Sequence, residues 1–399
     1  MTRVFYGWYV AIASFIFGIS FGFFNSYGVF FLPIQRGFAV SETTTSLVYS
    51  LALGSYTVGG VLAGSIADRS GPRITGFLGA ALLAGGLALS STATSLLELY
   101  LYYGVIAGLG WAFVIMSGTP SVIRWFTKKR GTALSFSTTG SATGVLLLPV
   151  FLQTLVSFFG WRDAFLASGC VALALMVPAS LVVRKNPEQM GLKPFGYDGT
   201  ADGQAKPEES IRARKALKMP AFWILYVSFL FGGLSVTAYL VHIVPYSVEN
   251  GTATALAAAA VSFVGLGSLV GRLGGGRISD NFGRMNSLST YYFLTSSGVM
   301  VLLLNHGLYT LYFASLLVGI GYGGFITANA AAAGDIFGGG SISFIWGLLS
   351  TAFGIGGVLG PLAVGYLHDS LGNYIPSFWM IAIFELAASA LVATHRRLA

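Results

Sequence analysis

Long apolar runs, each closed by charge, glycine or proline, divide the chain at about 7–33, 44–67, 74–94, 97–123, 131–159, 162–183, 220–248, 253–279, 286–304, 308–334, 342–367 and 375–394. Most reach the roughly 20 apolar residues that carry a helix across a hydrocarbon layer. Backbone N–H and C=O groups inside such a layer find no water, so each run is expected to be an α-helix that satisfies them internally. The pattern predicts an all-α integral membrane fold of twelve spans. The run at 7–33 is too long for the apolar core of a cleavable signal peptide and reads as the first span.

The two halves match at a constant offset of 212 residues: Tyr27 with Tyr239, Pro33 with Pro245, Gly64 with Gly276, Asp68 with Asp280, Gly71 with Gly283, Gly144 with Gly356, Pro149 with Pro361 and Gly160 with Gly372. Glycine coincidences are cheap in a chain holding 54 of them, but the Tyr, Pro and Asp matches are not. The expected organisation is a six-helix bundle at 1–183, a central loop at 184–219 and a second bundle at 220–399. Six spans per half repeat in the same orientation, and parallel repeats rocking about a midplane site are how secondary transporters alternate access.

Composition sharpens this picture: 55% of residues are hydrophobic and 9% charged, with a mean hydropathy of +0.75, against about 25% charged in soluble domains. Thirteen of the 36 charged residues fall between Arg184 and Lys218, marking a loop. Arg3, Arg69, Arg73, Arg124, Lys128, Lys129, Arg130, Arg277, Arg284, Arg396 and Arg397 cluster with that loop at one set of span ends, against Arg36 and Arg162 at the other. Both termini are therefore expected in the cytoplasm of a cell whose plasma membrane the chain crosses repeatedly. The net charge of +8 belongs to that topology and does not imply nucleic acid. One cysteine, Cys170, excludes a disulfide framework or a cysteine metal cluster within one chain and reads as a core-packing thiol. Trp8, Trp125, Trp161 and Trp223 lie near span ends, where amphipathic rings favour the interface.

The loop GSIADRSGPR at 64–73 and its degenerate echo GRISDNFGR at 276–284 resemble the signature of the major facilitator superfamily. The resemblance covers the whole chain and assigns gating to Asp68, Arg69 and Asp280. Within that superfamily GWYV at 7–10, RWFTKKRG at 124–131, SDNFGR at 279–284 and DIFG at 335–338 resemble the monocarboxylate porters and the related oxalate:formate antiporters. Arg124 and Asp335 close the fourth and tenth spans and read as cytoplasmic gate or loop contacts.

Arg272 is the exceptional charge. It lies eight residues before Asp280, about 12 Å inside the helix end at 1.5 Å per residue. Its repeat partner is Gly60, so the fold does not require a cation there. Burying arginine costs at least about 2.5–3.5 kcal/mol, and intramembrane charges usually face a polar cavity; snorkelling or pairing with a helix-end carbonyl are the structural alternatives. Its fork of donors matches a carboxylate bidentately, and the porter resemblance implies that role. Asn25, Tyr27, Tyr322, Asn329 and Trp346 are placed around it, each also compatible with ordinary helix packing or an interhelical hydrogen bond.

Two departures from the family pattern matter. Asn25 and Ser268 stand where mammalian-type porters carry a Lys and an Asp, so the usual proton-handling pair is missing, and Leu349 stands where the antiporters carry a second cation. One buried positive charge suits one carboxylate, favouring a lactate- or pyruvate-like monoanion over a dianion. His242 titrates in a range suited to a proton relay, although a lone His at such a place is more often an interfacial hydrogen-bonder. Glu385 lies in the twelfth span, where a lipid-edge or oligomer contact is as reasonable as coupling. No nucleophile with a base, metal-ligand spacing or phosphate-cradling loop is present. The expectation is a proton-coupled carrier without cofactor or metal, not an enzyme, its partners a small carboxylate, a proton and the lipid bilayer. An oxalate/formate-type antiporter and a broad-specificity exporter are the alternatives.

Overall fold

The structure is a computed structural model and describes residues 5–126, 130–196, 216–304, 307–337 and 342–394. Its helices are α1 (Tyr6–Asn25), α2 (Tyr27–Phe38), α3 (Glu42–Ser70), α4 (Pro72–Ser91), α5 (Leu96–Leu99), α6 (Gly108–Trp125), α7 (Arg130–Val182), α8 (Pro220–Glu249), α9 (Thr254–Phe282), α10 (Arg284–Leu304), α11 (Leu308–Phe337), α12 (Ile342–Leu371) and α13 (Ile375–Thr394). A π-helical turn over Tyr100–Ala107 joins α5 to α6. Among the described residues eleven stretches are long and apolar enough to cross a membrane. The longest, α7, is broken at Gly160, whose φ of 81° is non-helical, so it carries the fifth and sixth predicted spans end to end.

The chain divides into two compact units, residues 1–40 with 47–202, and residues 41–46 with 203–399. In the first unit α1 packs on α7 and α6, and α4 packs on α6 and α7. In the second, α8 packs on α12 and α13, α9 on α11, and α10 on α11 and α13. One pairing recurs clearly after the 212-residue offset: α4 on α6 in the first unit matches α10 on α11 in the second. Repeat-matched positions behave alike: Gly71 and Gly283 take φ of 87° and 81° at the breaks before α4 and α10, a region open to glycine at little cost.

Helices come close where a side chain is missing. A Cβ on Gly144 would lie 2.4 Å from the Ile19 carbonyl oxygen, and one on its partner Gly356 would lie 2.1 Å from that of Leu230. Small residues let apolar helices pack backbone to backbone where no aqueous hydrophobic effect drives them together.

Three expectations require correction. Cys170 is exposed on the outside of its helix, not packed in a core. Trp125 is fully buried, its indole N–H donating to the Arg184 carbonyl at 3.1 Å while Phe5 and Tyr6 pack against its ring; Trp161 is also buried, leaving Trp223 as the well-exposed ring of the four. Glu385 is fully buried inside the second unit, not at a lipid edge.

Candidate functional site

Arg272 sits on α9, half-buried, in the second unit. Its Nε donates to Ser268 Oγ one turn earlier at 3.2 Å, and its guanidinium carbon lies 5.8 Å from the Tyr322 ring centroid. Among the described residues no carboxylate stands within ion-pair reach of it. A guanidinium fixed by a neutral hydroxyl and an aromatic face is oriented without being neutralised, so it keeps charge and donor capacity for an anion.

Aromatic packing fixes Tyr322 in turn. Its ring meets Phe325 edge-on at 5.8 Å and stacks on Phe353 at 6.4 Å. Phe353 touches Phe229, which packs against Trp346 at 5.7 Å. Trp346 therefore joins the same aromatic wall as Tyr322, while Leu349 on its helix is fully buried. Asn329 is also fully buried, two turns along α11 from Tyr322, beside Tyr292.

Asn25 and Tyr27 belong to the first unit. Asn25 caps the bend between α1 and α2, donating from Nδ2 to the Phe21 carbonyl at 2.7 Å and accepting from the Tyr49 hydroxyl at 3.4 Å. Tyr27 is fully buried among Tyr49, Tyr103 and Phe31.

The sequence motifs at the helix ends fall only partly among the described residues. Asp335 is exposed and forms an ion pair with Arg284 at 2.8 Å, joining the end of α11 to the start of α10. Arg69 is exposed and Arg124 half-buried; the side chains of Asp68 and Asp280 lie outside the described residues.

His242 is not solitary. It is fully buried on α8, its Nε2 3.0 Å from the Pro361 carbonyl and 3.1 Å from Ser46 Oγ. Its Nδ1 faces Glu42 at 3.8 Å. Glu42 also meets His368 Nδ1 at 3.5 Å and accepts a hydrogen bond from the Tyr374 hydroxyl. Residues 41–46 belong to the second unit, so this cluster lies within one body. Glu42, His368 and Tyr374 were missed in the sequence. The available signal was a pair of histidines, His242 and His368, near segment ends assigned to the same side.

Repeated bundles of apolar helices, with an oriented cation inside one span of the second, fit a solute carrier. The chain belongs to the major facilitator superfamily, whose model it matches over residues 10–303 and 243–398. Among curated proteins it is similar to Monocarboxylate transporter 11 of Mus musculus, 30% identical with 96% of this chain and 86% of that protein covered. Monocarboxylate transporter 12 of Xenopus laevis is 28% identical, with 91% and 83% covered. The fold is shared with a bacterial homologue of the human lysosomal transporter Spinster in an inward-facing, unoccupied conformation, with TM-score 0.79, 16% identity, and 100% and 98% covered. It is shared also with a D-xylose-proton symporter, with TM-score 0.76, 16% identity, and 96% of each chain covered. The protein is a multi-pass membrane transporter of the monocarboxylate-transporter-like group, and not an enzyme.

Proposed function

We propose that this carrier moves small monocarboxylates of the lactate and pyruvate kind together with protons, by alternating access in a plasma membrane with both termini cytoplasmic, and that Arg272 binds the substrate carboxylate. The observation that carries the reading is the unneutralised Arg272 guanidinium, held by Ser268 and Tyr322 inside an apolar span. A membrane protein retains so costly a charge where a ligand of opposite sign completes it. The names of the curated relatives point to the same substrate class. One cation, with a buried and neutral Leu349 on the helix that carries Trp346, favours one negative charge.

Within the second unit, Tyr322 and Trp346 belong to the aromatic wall beside the carboxylate's arginine. His242 belongs to the proton path, and Asp68, Arg69, Arg124, Asp280 and Asp335 to the gates. The test is counterflow of labelled lactate in proteoliposomes against unlabelled lactate, pyruvate, formate, oxalate and a neutral sugar. Competition by monocarboxylates, with uptake accelerated by an inward proton gradient, supports the reading. Preference for oxalate with no effect of the gradient favours the antiporter, and indifference to every acid favours the exporter.

A further inference from the structure

The cluster around His242 grades from solvent to core. Side-chain exposure falls from 44% at Glu249 through 19% at His368 and 6% at Glu42 to 0% at His242. The links are Glu249 Oε2 to His368 Nε2 at 3.3 Å, His368 Nδ1 to Glu42 Oε2 at 3.5 Å, and Glu42 Oε2 to His242 Nδ1 at 3.8 Å. Every step joins a group that can carry a proton to another that can accept one.

Hydrogen bonding fixes where protons can sit. Ser46 spends its hydroxyl hydrogen on the Glu42 carbonyl at 2.8 Å, so its oxygen accepts at His242 Nε2. The Pro361 carbonyl at the same nitrogen is an acceptor alone, so Nε2 carries the hydrogen. Neutral His242 therefore presents a bare Nδ1 to Glu42, and an ionised Glu42 would set lone pair against lone pair. His368 places one ring nitrogen against each of two carboxylates; in its neutral form it can donate to one of them. A proton on Glu42 or on an imidazole turns a repulsive contact into a donated one.

The remaining neighbours leave Glu42 free for that role. Asp369 is occupied at the start of α3, accepting from the Glu42 N–H at 3.0 Å, the Thr43 N–H at 2.9 Å and the Thr43 hydroxyl. Tyr374, in the turn between α12 and α13, is buried beside the Glu42 carboxylate, and both push its phenol well above its usual range, so it stays a donor. Tyr246 packs edge-on to Tyr374 and shares the field of Glu249. The charges that reach Glu42 are those of His368, Asp369 and Glu249.

We propose that Glu42 is the proton-binding group of the carrier and that Glu249 and His368 conduct the proton to it from the exposed face. In the step, His368 Nε2 takes a proton from the Glu249 carboxyl while the hydrogen on Nδ1 passes to Glu42 Oε2. Glu249 is left ionised, His368 neutral in its other tautomer, and Glu42 neutral against His242 Nδ1. Reversal of the step, or rotation of the ring, resets His368.

This inference rests on proton symport, so the wild type is measured first: uptake of labelled lactate into proteoliposomes with and without an inward proton gradient. A wild-type ratio near one removes symport and this inference with it. Given a stimulated wild type, Glu42→Gln keeps the hydrogen-bonding shape but fixes a neutral group, and its ratio is expected to fall to about one with exchange at zero gradient still measurable. A wild-type ratio in that variant overturns the proposal, as does a correctly folded variant that has lost exchange altogether. Should Glu42→Gln not assemble, His368→Gln at the half-buried link decides: gradient-driven uptake is expected to slow at least about tenfold, and unaltered uptake overturns the relay.

Discussion

The Arg272 guanidinium carbon lies 5.8 Å from the centre of the Tyr322 ring, one turn of helix beyond the Ser268 hydroxyl that holds its Nε. The ring face orients the cation without supplying a counter-charge, and it is worth about 0.5–2 kcal/mol according to how dry the site is.

Tyr322→Ala is therefore expected to weaken lactate binding by about 2- to 30-fold, and Tyr322→Phe by no more than about threefold, because the face is retained. Binding to purified protein in detergent checks both. Equal losses for the two variants would transfer the role of Tyr322 from its ring to its hydroxyl.

Leu349→Lys places a second cation on α12, in the helix that carries Trp346. Relative preference should shift towards short dicarboxylates, read as competition by oxalate against labelled lactate. A folded variant that loses every acid alike, with no relative gain for oxalate, removes the argument from charge number.

Gly356→Ala would drive a Cβ to 2.1 Å from the Leu230 carbonyl oxygen and 2.7 Å from the Leu234 nitrogen, both main-chain atoms. Helices α8 and α12 must part, at a cost of about 1–3 kcal/mol. A clear fall in the melting temperature is expected in detergent. Gly60→Ala meets nothing within 4 Å and should leave it unchanged or slightly raised. Equal melting temperatures for the two variants would contradict the close approach of α8 and α12.

The span pattern was legible because hydrocarbon imposes one rule on every residue, and the repeat because Gly71 and Gly283 answer the same backbone demand. Arg272 stood out by charge alone, and the placement of Tyr322 and Trp346 followed from helical spacing and family likeness. Glu42 was hidden for a physical reason. It is 200 residues from His242, 326 from His368 and 332 from Tyr374 along the chain, and no periodicity joins residues that meet through tertiary packing. The repeat could not reveal it either, since Thr254 stands at the matched position. Trp125 and Cys170 misled because residue type predicts an environment on average, whereas the side of the helix on which each falls decides burial.

The central claim is that Arg272 binds the substrate carboxylate, and the most direct measurement is lactate binding and uptake by Arg272→Ala and Arg272→Lys in monodisperse, reconstituted protein. Gly60 at the repeat-matched position shows that the helix accepts a small neutral residue, so the Ala variant should fold. Loss of a desolvated charge pair costs about 2–5 kcal/mol, which predicts affinity lowered roughly 30-fold to several thousand-fold in Arg272→Ala. Arg272→Lys keeps the charge without the bidentate fork and should recover only part of that loss. Wild-type affinity and transport in a folded Arg272→Ala protein would contradict the account.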